Sequence, residues 1–223
     1  MDNLSAFDMI GPVMIGPSSS HTAGAVRIGN LAKEIVNNEY QDIKIYFHGS
    51  FKETYKGHGT DRAIIGGLLG YKTDDPKIKD SLKTAAEMGI KFEFFPIKLE
   101  NVHPNTVKLE ITDVDGVNTT ITASSVGGGK IVVTRLNNTE LNLKGEYYTL
   151  ITFHQDQPGL IAKISEILNI YNLNIAEMQV LRERKGHQAT AIINLDHEIE
   201  DQILSLIRGI PGIKTSKLIK PLN

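Results

Sequence analysis

Serine and histidine side chains gather in one short stretch of this 223-residue chain, Gly16-Pro-Ser-Ser-Ser-His-Thr22. Pro12 and Pro17 restrict the backbone around its start and disfavour helix there. Ser18, Ser19 and Ser20 are each good helix N-cap types. Beyond them apolar residues fall at Ile28, Leu31, Ala32, Ile35 and Val36, a spacing that predicts a helix ending near Asn37-Asn38. A row of hydroxyls and the imidazole of His21 therefore stand where backbone N–H groups are unpaired and the helix dipole is positive. Such a place binds a carboxylate or a phosphate. One serine would suffice as a cap; three, followed by His21 and Thr22, exceed what capping requires.

Two more polar segments carry histidine. In Tyr55-Lys-Gly-His-Gly-Thr-Asp-Arg62, His58 lies between two glycines, which allow unusual backbone shapes and close approach of a ligand. Thr60 or Asp61 is expected to cap the helix that follows through Ala63, Ile64, Ile65, Leu68 and Leu69. The Gly-x-Gly here is no dinucleotide fingerprint, because Arg62 stands at the third glycine position. In Asn101-Val-His-Pro-Asn-Thr106, His103 precedes a proline and is extended. Imidazole titrates near neutrality, which suits a general base. His154, His187 and His197 read as surface or structural histidines, and His48 at a strand end is ambiguous.

Composition removes other chemistries. The chain has no cysteine, so it can supply neither a thiol nucleophile nor thiolate ligands for zinc or an iron–sulfur cluster. Net charge is −2, with 15 Lys/Arg and 17 Asp/Glu up to residue 140 and 9 of each beyond it. Neither part is basic, which argues against a nucleic-acid or anionic membrane surface. The longest apolar run, Ala63 to Tyr71, is too short to span a bilayer, and no secretory signal is visible. The expected location is the cytoplasm. Gly-Gly-Gly-Lys130 lacks P-loop spacing and reads as a bulge or a close backbone approach. Asp113-Val-Asp-Gly116 reads as a hairpin turn and only weakly as a calcium loop.

The elements that must position these groups fall into two parts. Residues 1–10 read as a short helix or lead-in. Asp42 to His48 alternates as a half-buried strand. A helix over 78–88 and strands over 91–96, 106–112, 117–125 and 130–136 complete an N-terminal domain, residues 1–140. Asn137 to Glu146 is polar and reads as the linker. Residues 147–223 follow the order βαββαβ: strand 147–154, a helix begun by Pro158, strands 175–181 and 188–195, helix 198–208 and strand 213–219. That order predicts a ferredoxin-like sandwich. Overall the fold class is α+β, a mixed α/β domain followed by a βαββαβ domain.

Together, in order and spacing, Gly16-Pro-Ser-Ser-Ser-His-Thr22, Gly57-His-Gly-Thr-Asp61 and Val102-His-Pro-Asn105 resemble the β chain of the bacterial iron–sulfur L-serine dehydratases (L-serine ammonia-lyases). Asp156-Gln-Pro-Gly-Leu160 resembles the first turn of an ACT domain. The resemblance covers the whole chain. It implies that the first domain has the fold found as an allosteric substrate-binding domain in some 3-phosphoglycerate dehydrogenases. It also implies a partner α chain whose own cysteines hold a [4Fe–4S] cluster, with no metal bound by this chain. His58 is then the expected base at Cα of L-serine, with His21 as the alternative. Ser18, Ser19, Ser20, Thr22, His103 and Asn105 are expected to bind the substrate. Asp156, Gln157, Pro158, Gly159, Leu160 and Asn174 are the expected effector positions, at an ACT unit that self-associates. The competing reading is a non-catalytic amino-acid sensor. A sensor needs hydroxyls and backbone donors but not three loop histidines, so His21, His58 and His103 favour catalysis. A phosphate-binding module is weaker still, since only Arg27 and Lys56 lie nearby in sequence.

Overall fold

Alternation in β1 (Tyr40–His48) sets up the first core: Ile43, Ile45 and Phe47 are buried while the residues between them are half-exposed. The computed structural model describes residues 12–36, 38–182 and 184–222. The expected lead-in over 1–10 and Asn37 lie outside the described residues. The chain divides into two compact units between Lys144 and Gly145.

The first unit is built on a six-stranded sheet in the order β2-β1-β3-β4-β5-β6. Its other strands are β2 (Lys91–Ile97), β3 (Thr106–Asp113), β4 (Asn118–Gly127), β5 (Lys130–Leu136) and β6 (Thr139–Leu143). β1 and β2 are parallel, and the remaining pairs are antiparallel. The register sets Ile45 beside Leu109, Leu109 beside Ile121 and Ile121 beside Leu136, giving one continuous apolar row. Each such isoleucine or leucine contributes about 1.5–3 kcal/mol by leaving water. α1 (Gly24–Val36) lies on β4 and β5 with Val26, Ile28, Leu31, Ala32 and Ile35 buried. α3 (Thr60–Leu68) packs on α1. The two helices touch through glycine. A Cβ on Gly67 would lie 2.1 Å from the Val26 carbonyl oxygen, and one on Gly29 would lie 2.4 Å from that of Ile64.

Several expectations are corrected. The segment 137–146 is not a free linker: β6 pairs with β5, and Leu141 and Leu143 turn inward at strand period among polar neighbours. The expected helix over 78–88 is a 3₁₀ turn, Pro76–Asp80, followed by α4 (Ser81–Glu87). Gly49–Thr54 is a short helix, α2, where only a strand end was expected. α3 is capped by neither Thr60 nor Asp61 but begins after Gly59, whose φ of 69° is left-handed. The Asp113 carboxylate is occupied as a turn acceptor for the N–H groups of Asp115 and Val117. Among the described residues no group of three or more His, Cys, Asp or Glu could hold a metal ion. Nor is any described helix long and apolar enough to cross a membrane.

The second unit comprises β7 (Tyr148–Gln155), α5 (Leu160–Ile170), β8 (Ile175–Arg182), β9 (Gln188–Leu195), α6 (Asp201–Arg208) and β10 (Ile213–Ile219). Its antiparallel sheet runs β10-β7-β9-β8, the ferredoxin-like order. Leu160, Ile164 and Leu168 of α5 and Ile203 and Ile207 of α6 meet Leu150, Ala191 and Ile193 in its core. His154 is buried and bonds through Nδ1 to Thr152 Oγ1, so it is structural.

The glycine crossing leaves no room for a methyl group. Gly67→Ala should lower the unfolding free energy of the first unit by about 1–3 kcal/mol, read from urea denaturation.

Candidate active site

The serine stretch is anchored before the helix begins. The Ile15 N–H donates to the Thr73 carbonyl at 2.9 Å, and Thr73 Oγ1 donates to the Val13 carbonyl at 2.7 Å. Gly16 has φ of 121°, and a Cβ there would meet the Thr22 side chain at 2.6 Å. Ser18 is the N-cap, its Oγ accepting the His21 N–H at 3.2 Å. Residues Ser19–Ala23 then form a wide π turn, closed by the Gly24 N–H donating to the Ser19 carbonyl. Such turns are frequent at functional sites. Gly24 is required here, because a Cβ would sit 2.1 Å from Ser125 Oγ. That serine hydroxyl is buried with no hydrogen-bond partner among the described residues.

The turn aims His21 at three elements at once. Its Nδ1 meets Ser18 Oγ at 3.2 Å and its Nε2 meets Ser50 Oγ at 3.0 Å. Its ring packs against Phe51 at 5.3 Å and stands edge-on to the His58 ring at 4.8 Å, with the planes 89° apart. Burial lowers the pKa of His21, and the neighbouring His58 lowers it further. His21 is thus kept neutral, with a hydroxyl on each ring nitrogen.

His58 is held differently. The Thr22 hydroxyl, itself buried, donates to the His58 carbonyl at 3.3 Å, and the His58 N–H donates to the Thr54 carbonyl at 2.9 Å. Its Nδ1 is buried with no partner among the described residues. Nearby in sequence, the hydroxyl of the fully buried Thr60 also has no partner among the described residues. Asp61 is buried too; desolvation raises its carboxyl pKa against the opposing Arg62 N–H bond.

The third motif joins through Ser50. The Ser50 N–H donates to the Pro104 carbonyl at 2.9 Å. His103 itself is exposed, with Nδ1 accepting the Asn105 N–H at 3.1 Å, and the Asn105 carbonyl accepts the Ser125 N–H at 2.9 Å. Of the sequence-predicted residues, the fold therefore brings Ser18, His21, Thr22 and His58 into direct contact. Ser19 and Ser20 are half-buried on the same turn, and their hydroxyls have no partner among the described residues. His103 and Asn105 are joined to this group by the backbone. His48, the ambiguous histidine, accepts the Leu99 N–H through Nδ1 and is structural. Ser50 and Phe51 were missed; Gly49-Ser50 carried only the signal of a strand end.

In the second unit the expected effector positions are largely engaged within the fold. The Asp156 carboxylate accepts the Gly186 N–H at 2.9 Å and Arg182 Nη1 at 3.0 Å, and these bonds hold its carboxyl below the usual range. Gln157 donates to the Pro211 carbonyl at 2.8 Å, and Asn174 donates to Asp196 at 2.7 Å. Leu160 is buried in the core. Pro158 and the left-handed Gly159 form the exposed approach to α5.

Residues 148–212 match the model of the ACT domain family, which places the second unit among ACT-bearing proteins. Residues 5–135 match the model described as serine dehydratase beta chain, and the chain belongs to that family. It is 46% identical to a probable L-serine dehydratase, beta chain, of Bacillus subtilis (strain 168), over 94% of each chain. It is 37% identical to the L-serine dehydratase, beta chain, of Peptoniphilus asaccharolyticus, over 99% of this chain and 100% of that one. A D-3-phosphoglycerate dehydrogenase of Bacillus subtilis (strain 168) is 26% identical over 87% of this chain, which corresponds to 37% of its own length.

Two measurements test this geometry. Because the folded pKa of His21 lies below the ordinary histidine value of 6.5, the unfolded chain takes up a proton that the folded chain refuses. His21's contribution to stability is therefore complete above 6.5 and is lost as pH falls through its lowered folded value. In an NMR titration His21 should have its midpoint below 6.5, and His58→Ala should move that midpoint upward. In the second unit, Asp156→Ala should speed hydrogen exchange at the Gly186 amide.

Proposed function

We propose that this chain is the β subunit of an L-serine dehydratase, converting L-serine to pyruvate and ammonia at a site shared with a partner α chain. The observation that carries the assignment of roles is the contrast between the two histidines. Both nitrogens of the His21 ring are held by serine hydroxyls, whereas His58 Nδ1 has no such partner. A base must have a nitrogen free to accept a proton. With Nδ1 buried, Nε2 of His58 is the nitrogen that takes the Cα proton. His21 acts as a neutral, oriented hydrogen-bonding group beside it.

The start of the 19–36 helix supplies the rest. Ser19 and Ser20 hydroxyls and the positive end of the helix dipole receive the substrate carboxylate. Thr22 works from behind, fixing the His58 backbone. His103 and Asn105 line the approach. Loss of the α-proton and the β-hydroxyl leaves aminoacrylate, whose imine tautomer takes up water and gives pyruvate and ammonia.

Departure of the hydroxyl calls for a Lewis acid. This chain has no cysteine and, among its described residues, no group of metal ligands, so it does not hold a cluster with thiolates of its own. A [4Fe–4S] cluster on the cysteine-bearing α chain would supply that chemistry. The first unit, to Lys144, is then the half that meets the substrate, and the ACT unit is regulatory. The sheet of the latter ends in β8 and β10, whose free edges suit self-association.

The test is serine-dependent pyruvate release by this chain co-purified with its α chain without oxygen. His58→Ala should assemble and lose about 10²–10⁴-fold in kcat. The β chain alone should release no pyruvate. Near-normal turnover in the variant would move the role of base to His21, and serine binding by this chain without activity in any pairing would favour the sensor.

A further inference from the structure

Ser50 lies at the second position of α2, a helix of only six residues. Three consecutive residues there each make a different contact. Gly49 has φ of 55°, and a Cβ on it would lie 2.5 Å from the Pro104 carbonyl oxygen, so only glycine lets the 103–105 loop approach. Ser50 bonds both ways: its Oγ meets His21 Nε2 at 3.0 Å, and its N–H donates to that same Pro104 carbonyl at 2.9 Å. Phe51, fully buried, packs edge-on against the His21 ring. The α2 backbone is tied in turn by Thr54 Oγ1, which donates to the Ser50 carbonyl at 2.7 Å.

We propose that Ser50 is a positioning residue of this site: its hydroxyl fixes the ring of His21 while its backbone N–H fixes the loop carrying His103 and Asn105. Neither the serine stretch nor the two other motifs contains it. Its geometry does not depend on how the ring proton of His21 is assigned. If Ser18 donates to Nδ1, the ring donates from Nε2 to Ser50; if Nδ1 donates to Ser18, the Ser50 hydroxyl donates to Nε2. In both arrangements each ring nitrogen is paired with one hydroxyl, so the ring is held in place whichever tautomer is present. The ring is thereby kept edge-on to His58, the base in the reading above, on which the role in turnover rests.

The test begins with the full-length chain and needs no activity. Ring nitrogen NMR at pH 8 should show both His21 nitrogens hydrogen-bonded in the wild type. In Ser50→Ala the Nε2 resonance should shift as its hydrogen bond is lost, and Ser50→Thr should restore the wild-type position. Ser50→Cys, nearly isosteric and a weak hydrogen-bonder, takes the place of the alanine variant should that one fail to fold. In the complex with the α chain, the alanine variant should lose about tenfold in kcat/KM, mostly as a rise in KM, with recovery in Ser50→Thr. Unchanged His21 nitrogens in the alanine and cysteine variants would overturn the proposal. A wild-type complex without activity would instead overturn the dehydratase reading and leave the NMR comparison standing.

Discussion

The site rests on the closeness of two helices. α1 and α3 cross where Gly29 meets Gly67, backbone against backbone, with no side chain between them. His21 lies eight residues before the first glycine and His58 nine before the second. These are similar lengths of chain. Helices that touch at that level therefore bring their leading ends together, and the imidazoles meet at 4.8 Å. The sheet serves this crossing by giving α1 a flat apolar surface to lie on. The hydroxyls then serve the imidazoles by partnering both nitrogens of the half-buried His21 ring.

Local patterns made much of this visible in the sequence. β1 announces itself by alternation, and β5, β9 and β10 by the glycines and prolines around them. The serine stretch and the glycine-flanked His58 stand out because their residue types exceed structural need. The contact between His21 and His58 was not legible, because it is made by two glycines far down their helices that carry no chemistry. α2 and Ser50 were hidden for a related reason. A helix of six residues has little propensity signal, and here it is held by Phe51 in the core and by the Pro104 carbonyl above it. β6 was masked by its polar neighbours, since its two inward leucines are separated by an asparagine.

The ACT unit shows how a motif can be right about place and silent about role. Asp156 and Gln157 follow β7 as the resemblance implies, yet their side chains bind Gly186, Arg182 and Pro211. They tie the β8–β9 hairpin and the 209–212 turn to the end of β7. A small molecule arriving there meets mainly backbone groups and the exposed Pro158-Gly159 step.

The π turn has one further meaning. Its closing bond spans five residues, from Ser19 to Gly24, so the segment holds one residue more than an α-helix would place there. Removing any one residue from 19–23 would let the segment relax into regular helix. Everything before it would then rotate by about 100° relative to α1. With Ser19 or Ser20 removed, Ser18 would swing away from its place on the His21 ring even though every remaining residue type was kept. The spacing of this segment is thus information in its own right: it is measured in chain length, and substitution scanning, which preserves length, passes over it.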